Sequence, residues 1–259
     1  MSTRQTALNN DLPTSRQVAR KEGIRASTRP YGWLQSLSGQ APSLGGRAIS
    51  TPGVDRCAPL SSGDATCLYN NNYRFVGRYI VNTSDTGCEL SPSEVLAIHG
   101  ASLEIVSLVS VQASTDMSVW DSPTGYSDGW NAATAQDVYA ASGEATPILY
   151  VDVEPTGFSA STNGVPLQNY LCGFISGVRS VNATLGVGIY AGSTILSYLC
   201  GTNYASLPFW WAECGSGGAP GPSCGYAIEQ TQCPTSGVPV ASCGNYDIDE
   251  AFPTSYGQW

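Results

Sequence analysis

The chain has 259 residues, of which 42% are hydrophobic and 12% are charged, so it can bury a full core and most of it is not a disordered protein. The formal net charge is −9, and it is unevenly distributed, because residues 1–50 are basic and the remainder is strongly acidic. An acidic body repels nucleic acid and anionic lipid. We therefore expect no nucleic acid to bind to residues 51–259.

Residues 1–50 lack sustained hydrophobic periodicity, apart from a short helical stretch at 15–26. They end in a loop-like run rich in Gly and Ser. We interpret them as a basic N-terminal arm, extended or partly helical, through which protein assembly partners would bind. We expect no signal peptide and no membrane span, because the chain shows no apolar run typical of either.

After Gly53 the sequence changes to short apolar runs that alternate with amphipathic stretches. Eight of these runs have the length and the Val, Ile and Tyr content of β-strands. They are 53–55, 75–81, 103–111, 147–154, 185–191, 207–212, 226–230 and 246–248. Helices are predicted between them at 91–100, 128–142, 167–181 and 193–200.

Continuous apolar strands that alternate with helices are typical of a parallel sheet with both faces covered. Eight such strands in about 200 residues favour a closed barrel. The sequence therefore predicts an α/β fold, a (β/α)8 barrel of the TIM type, over residues 51–259. An open, doubly wound sheet is the alternative.

The chain has nine cysteines, which predict disulfides and an extracellular or particle-associated protein. Three pairs that each bracket a short loop are predicted, with a fourth between neighbouring helices that would leave Cys88 over. They are Cys57–Cys67, Cys214–Cys224, Cys233–Cys243 and Cys172–Cys200. No CxxC spacing occurs and His99 is the sole histidine, so we expect no metal site and no cofactor.

The most informative segment is 147–155, where an apolar strand ends in two carboxylates and a proline. Side chains two residues apart in a strand share one face, so Asp152 and Glu154 point the same way. They lie at the carboxyl end of the strand, where barrel enzymes carry their catalytic residues. Two carboxyl groups that lie close together near apolar walls have different pKa values, so one can stay protonated while the other is ionised. Glycoside hydrolysis needs one carboxyl group in each of these two states. A pair of exposed strand-end acids, or a cation site, is the alternative.

Asp55 and Asp247 end the first and last predicted strands, which barrel closure makes neighbours. Arg78 interrupts an apolar strand, and a buried guanidinium needs an acidic partner, for which Asp55 or Asp152 would serve. We expect ligand contacts from Arg78 and from aromatic or amide side chains near strand ends. These are Tyr79, Gln112, Tyr190, Trp210, Trp211 and Gln230.

At its strand ends the sequence resembles a known family. The motifs are Gly53-Val-Asp-Arg-Cys57, Phe75-Val-Gly-Arg-Tyr-Ile80, Leu90-Ser-Pro-Ser-Glu94, Asp128-Gly-Trp-Asn-Ala-Ala133, Ile148-Leu-Tyr-Val-Asp-Val-Glu154, Val187-Gly-Ile-Tyr190, Phe209-Trp-Trp-Ala212, Glu229-Gln230 and Asp247-Ile-Asp249. In this order and spacing they resemble the glycoside-hydrolase-like domain of unknown function. That barrel family is similar to the family 25 lysozymes, which are N-acetylmuramidases.

The resemblance implies that Glu154 is the proton donor and that Asp152 or Asp247 stabilises the oxocarbenium charge. It also implies that Asp55 flanks the site and that Trp210 and Gln230 line it. Two positions depart from the lysozyme pattern: Arg56-Cys57 replaces small polar residues, and Gln112 stands where the lysozymes carry an aromatic-His pair.

Two functional hypotheses follow. In the first, the barrel hydrolyses or binds a cell-wall or surface polysaccharide of the peptidoglycan type through its acidic pocket. In the second, it is a non-catalytic glycan-binding or structural subunit of an extracellular or virion-like assembly, held by residues 1–50. Removal of residues 1–50 distinguishes them, because an enzyme would stay active and an assembly subunit would lose incorporation.

Overall fold

A computed structural model describes residues 50–83, 87–139, 147–212, 221–234, 237–252 and 256–259. The predicted basic arm lies outside the described residues except for Ser50, and so does Cys214. No described helix has both the length and the apolar character needed to cross a membrane.

The strands are β1 (Thr51–Asp55), β2 (Phe75–Asn82), β3 (Glu104–Ser110), β4 (Ile148–Asp152), β5 (Gly186–Ala191), β6 (Phe209–Trp211), β7 (Ile228–Gln232), β8 (Val238–Pro239) and β9 (Asn245–Ala251). The helices are α1 (Ser62–Asn70), α2 (Pro92–Gly100), α3 (Gln112–Thr115), α4 (Ser122–Tyr139), α5 (Ala160–Val181) and α6 (Ser193–Cys200), with a 3-10 turn at Met117–Val119. Every predicted strand, and every helix predicted after residue 53, has a counterpart, whereas the helical stretch predicted at 15–26 lies outside the described residues. Helices α1 and α3 are additional to the prediction.

The sheet is a closed barrel. Strands β1 to β7 pair in parallel in chain order, and β9 lies between β7 and β1. β9 runs antiparallel to both neighbours, unlike the strands of a regular (β/α)8 barrel. The reason is the connection: a parallel crossover normally needs a helix, whereas the described part of the link to β9 forms the short strand β8, which pairs with β9.

Alternate strand residues point to two separate cores. Side chains that point inward fill the barrel, and they include Phe75, Leu108, Tyr150, Trp210 and Ile228. Side chains that point outward pack beneath the helices, and they include Val54, Val76, Val109, Val151 and Ile189. This two-residue period places polar residues at the carboxyl end of a strand either inside the mouth of the barrel or on its outer wall.

The disulfides join elements that are neighbours in space rather than in sequence. They are Cys57–Cys88, Cys67–Cys243 and Cys200–Cys224, with Cα–Cα distances of 4.5, 5.4 and 5.5 Å. Cys233 is also disulfide-bonded, and Cys172 is free. The predicted pairs were therefore wrong, because the adjacency of β1 and β2, and of α1 and the turn before β9, decides which sulfurs meet.

Candidate functional site

Five carboxyl groups meet at the mouth of the barrel where β1 and β4 end and the antiparallel β9 begins. Four of them were predicted, and the fifth, Asp249, was not. They are Asp55, Asp152, Glu154, Asp247 and Asp249. Each of them has a pKa above its ordinary value, and the loss of surrounding water to protein atoms is the largest cause in every case.

Asp55 is held at this mouth by a chain of hydrogen bonds. Gln230 donates from Nε2 to Asp55 Oδ2 at 2.8 Å, and the Tyr190 hydroxyl donates to Gln230 Oε1 at 3.1 Å. All three side chains are buried. Gln230 and Tyr190 therefore support Asp55 from inside the barrel.

Burial and the charge of Asp247 raise the pKa of Asp55 to about 7, and the hydrogen bond from Gln230 opposes that rise. Burial alone raises the pKa of Asp247 to about 6. Asp247 is only half-buried. It is therefore predominantly ionised at neutral pH, while Asp55 is near the middle of its titration.

Asp152 and Glu154 differ in their exposure, because β4 ends at Asp152 and Glu154 lies in the segment that follows it. Asp152 is buried, and its Oδ1 has no hydrogen-bond partner among the described residues. Burial and the charge of Glu154 raise the pKa of Asp152 well above its ordinary value. The Glu154 side chain is exposed to solvent, yet the surrounding protein and Asp247 raise its pKa as well.

Glu154 opens into a cleft of about 400 Å³. The cleft lies between the segment after β4 and the start of α6, and its lining includes Pro155, Phe158, Gly192, Ser193 and Thr194. The Glu154 backbone is fixed, because its N–H donates to the Ser114 carbonyl at 2.8 Å. A ligand in this cleft would therefore meet a carboxyl group whose main chain is held in place.

Arg78 does not lie at this mouth. Its side chain is fully buried on the outer wall of β2, where it binds both carboxylate oxygens of Glu94 at 2.7 and 3.2 Å. The predicted partners, Asp55 and Asp152, were wrong, because Arg78 alternates with the inward-facing Gly77 and Tyr79. Arg78 also donates to the Cys57 carbonyl at 2.7 Å, so it holds the loop that follows Asp55.

Trp210 and Gln112 occupy contrasting positions. Trp210 is fully buried in the barrel, edge-on to the rings of Tyr150 and Tyr190, and its Nε1 donates to Asp249 at 3.1 Å. Gln112 is exposed at the start of α3 and donates to Asp116 at 3.1 Å. In this arrangement Gln112 is accessible to a ligand, whereas Trp210 lies in the barrel interior.

Asp249 is the buried acid that sequence reasoning missed. It is fully buried, two residues beyond Asp247 on the same strand face. The signal was present, because Asp247-Ile-Asp249 repeats the two-residue spacing of Asp152 and Glu154. Among the described residues, no group of three or more His, Cys, Asp or Glu side chains could hold a metal ion.

The closed α/β barrel agrees with the match of this chain to a known family. The family model described as "Rv2525c-like, glycoside hydrolase-like domain" matches residues 66–235. The chain belongs to this family. A search of curated proteins finds no match.

Solved structures share the fold. An uncharacterized B. stearothermophilus protein has a TM-score of 0.54 at 15% identity, covering 78% of this chain and 95% of its own. A family 25 glycosyl hydrolase from Bacillus anthracis has a TM-score of 0.54 at 14% identity, and the match covers 83% of this chain and 96% of that protein. The lysozyme from Streptomyces coelicolor has a TM-score of 0.53 at 12% identity, and the match covers 80% of this chain and 94% of that protein. The predicted similarity to family 25 barrels is thereby confirmed at the level of the fold.

Proposed function

We propose that this domain hydrolyses glycosidic bonds in a cell-wall or surface polysaccharide of the peptidoglycan type, with Glu154 as the general acid. The observation that carries the proposal is the position of Glu154, an exposed residue that lines the cleft and whose pKa is raised by its surroundings and by Asp247. A raised pKa increases the fraction of Glu154 that carries a proton for the leaving group. Membership of the glycoside-hydrolase-like family supports the same reaction class.

In the proposed reaction Glu154 gives its proton to the glycosidic oxygen as the bond from that oxygen to the anomeric carbon breaks. The bonding electrons leave with the oxygen, and positive charge develops at the anomeric carbon. The oxygen of a water molecule then bonds to that carbon, and the proton released from the water returns to Glu154. The net change is the addition of one water molecule across the bond.

Asp247 is the anion that would stabilise the developing positive charge. Its pKa of about 6 leaves it ionised at neutral pH, and its charge acts directly on Glu154. Burial and the charge of Glu154 raise the pKa of Asp152 well above its ordinary value, so Asp152 is less suited than Asp247 to carry the negative charge. We therefore assign the electrostatic role to Asp247, with Asp152 and Asp55 shaping the mouth around the reacting sugar.

The disulfides support action outside the cytosol, because such bonds persist in oxidising compartments. One feature favours the second hypothesis, a non-catalytic glycan-binding or structural subunit. Seven of the eleven Lys and Arg residues fall within residues 1–50, a charge pattern suited to holding the chain in an assembly.

The test is release of reducing ends from peptidoglycan and from chitin oligomers by the full chain. Glu154→Gln should lower the rate by a factor of about 100 or more, because it removes the transferable proton. Glu104→Gln is the matched control, since Glu104 is exposed at the opposite end of the barrel, where β3 begins. Equal rates for Glu154→Gln and wild type would contradict the assigned role.

Absence of release by the wild-type chain, with its fold intact, would contradict hydrolysis itself. Binding of the same polymers, measured by co-sedimentation, would then support the glycan-binding alternative. Deletion of residues 1–50 separates the two hypotheses further. The enzyme hypothesis expects unchanged release of reducing ends, and the assembly hypothesis expects that the chain is no longer incorporated into its extracellular or virion-like assembly.

A further inference from the structure

Asp249 lies deeper in the barrel than the other carboxyl groups, and its two oxygens have different surroundings. Oδ1 accepts a hydrogen bond from Trp210 Nε1 at 3.1 Å. Oδ2 is buried and has no donor among the described residues. In the ladder between β1 and β9, Asp249 pairs with Gly53 and Asp247 pairs with Asp55, so the inward-facing side chains of Asp249 and Asp55 are diagonal neighbours whose charges interact. A buried acceptor without a donor is costly, so this arrangement needs an explanation.

Two adjacent carboxylates cannot both be ionised in a dry interior at acceptable cost. Asp55 already accepts a hydrogen bond from Gln230, which stabilises the charged form of Asp55. A proton on Oδ2 of Asp249 would remove the mismatch, because the protonated oxygen becomes a donor to Asp55. The pair then carries one negative charge, and that charge rests on Asp55.

We propose that Asp249 is a positioning residue of the proposed active site, which keeps a proton on Oδ2 and donates it to Asp55 in order to fix the Asp55 carboxylate at the barrel mouth. The inference rests on the proposed function for its consequences in catalysis, but the proton on Asp249 is a property of the folded chain alone.

Asp55 and Asp249 are connected by a continuous series of buried side-chain contacts. Asp55 is held by Gln230, which is held by Tyr190, and the Tyr190 ring packs edge-on against Trp210 at 5.4 Å. Trp210 in turn holds Asp249. Asp55 is thereby supported from two sides by groups that belong to four different strands, which is the rigidity that a preorganised site requires.

Electrostatics agrees with the geometry. Burial, then the charge of Asp55, raise the pKa of Asp249 well above its ordinary value, and Asp247 adds to the rise. Asp55 is also influenced by Glu154 and Asp247. Among the described residues, none of the groups that shift these two pKa values is a cation. Asp249 is the member of the pair that keeps the proton, and Asp55 is the member that ionises.

The direct test is a carbon-13 NMR titration of the full chain with labelled aspartate carboxyl groups. We expect the Asp55 signal to titrate near pH 7 and the Asp249 signal to remain that of a protonated carboxyl throughout that transition. Titration of Asp249 at a lower pH than Asp55 would overturn the inference. This measurement needs no variant, so a folding defect cannot leave the question open.

Two variants sharpen the test. In Asp249→Asn the amide NH2 replaces the acid proton as donor, and the midpoint of the Asp55 titration should stay near its wild-type value. In Asp249→Ala the donor is lost, and that midpoint should rise by about one pH unit. Equal midpoints in the two variants would contradict the donor role.

The same variants give a kinetic readout. We expect Asp249→Ala to lower kcat about tenfold with little change in KM, and Asp249→Asn to recover most of the loss. An inactive wild-type chain in which Asp249 stays protonated would overturn the proposed function alone. An active wild-type chain in which Asp249 is ionised at pH 6 would overturn this inference alone.

Discussion

Asp55 and Asp247 lie directly opposite each other in the antiparallel ladder that closes the barrel. The pairing brings together two acids from the first and last strands, and both titrate at higher pH in the folded chain than an ordinary aspartate. The pKa of Asp55 is about 7 and that of Asp247 about 6. Between about pH 4 and pH 7, the folded chain therefore binds more protons than the unfolded chain.

The first prediction is that the free energy of unfolding falls as the pH rises from 4 to 7. Folded-state pKa values above the unfolded ones favour folding most at low pH, and the benefit is lost as each group ionises. Each excess proton corresponds to about 1.4 kcal/mol per pH unit. Urea denaturation of the full chain at several pH values measures this slope.

Asp55→Asn should flatten the slope, because one of the proton-binding groups is removed. Glu104→Gln is the control and should leave the slope unchanged. Asp128, whose pKa burial raises to about 6, contributes with the same sign in every variant and cancels in the comparison. A wild-type stability that rises from pH 5 to pH 7 would contradict the assignment of raised pKa values.

The second prediction concerns the ion pair of Arg78 and Glu94, which is buried on the outer wall of the barrel. Glu94→Gln leaves the guanidinium without its counter-charge, and removing one partner of a buried pair costs about 3–5 kcal/mol. The loop after Asp55 should loosen too, since Glu94 accepts the Leu60 N–H at 2.8 Å. Urea unfolding at pH 7 measures the loss.

The matched control is the more exposed pair of Arg56 and Asp64, joined at 3.4 Å. Asp64→Asn should cost about 1 kcal/mol or less, because water screens a pair at the surface. Equal losses in the free energy of unfolding from the two substitutions would mean that the buried pair of Arg78 and Glu94 stabilises the fold no more than the surface pair does.

The fold could be predicted from the sequence because the strands are continuous apolar runs, and the same pattern located Asp152 and Glu154 at a strand end. The partner of Arg78 could not be found in this way. A buried guanidinium needs an acidic partner. The alternation of inward and outward side chains along β2 decides that Arg78 faces α2 and not the barrel mouth. Asp249 was missed although its spacing from Asp247 follows the rule that identified Glu154.

The cysteines show a second limit of sequence reasoning. Short spacing made Cys57 and Cys67 look like a natural pair, yet strand order places Cys57 beside Cys88. Pairing depends on the Cα distance and on side-chain direction, which the complete barrel sets. Local spacing predicted that disulfides form but not which cysteines form them.

The third prediction follows from the span of Cys67–Cys243, which joins residues 176 apart, compared with 24 for Cys200–Cys224. A longer closed loop restricts the unfolded chain more. Replacing both Cys67 and Cys243 by Ala should lower the free energy of unfolding by about 5 kcal/mol, and replacing Cys200 and Cys224 by about 3.5 kcal/mol. The reverse order in urea denaturation would contradict the entropic explanation.

The fourth prediction tests the contact between α4 and α5, the two longest helices. A methyl group added to Gly129 would overlap the Phe174 carbonyl oxygen, so the helix backbones touch at a point that only glycine permits. Gly129→Ala should push the helices apart and cost about 1–3 kcal/mol, as overpacking does. Gly100→Ala is the control, because a methyl group there meets no atom within 4 Å, and the better helix propensity of Ala should leave the stability equal or higher. Thermal unfolding by circular dichroism compares the two, and a Gly129→Ala chain as stable as wild type would mean that the helices can separate without loss of packing.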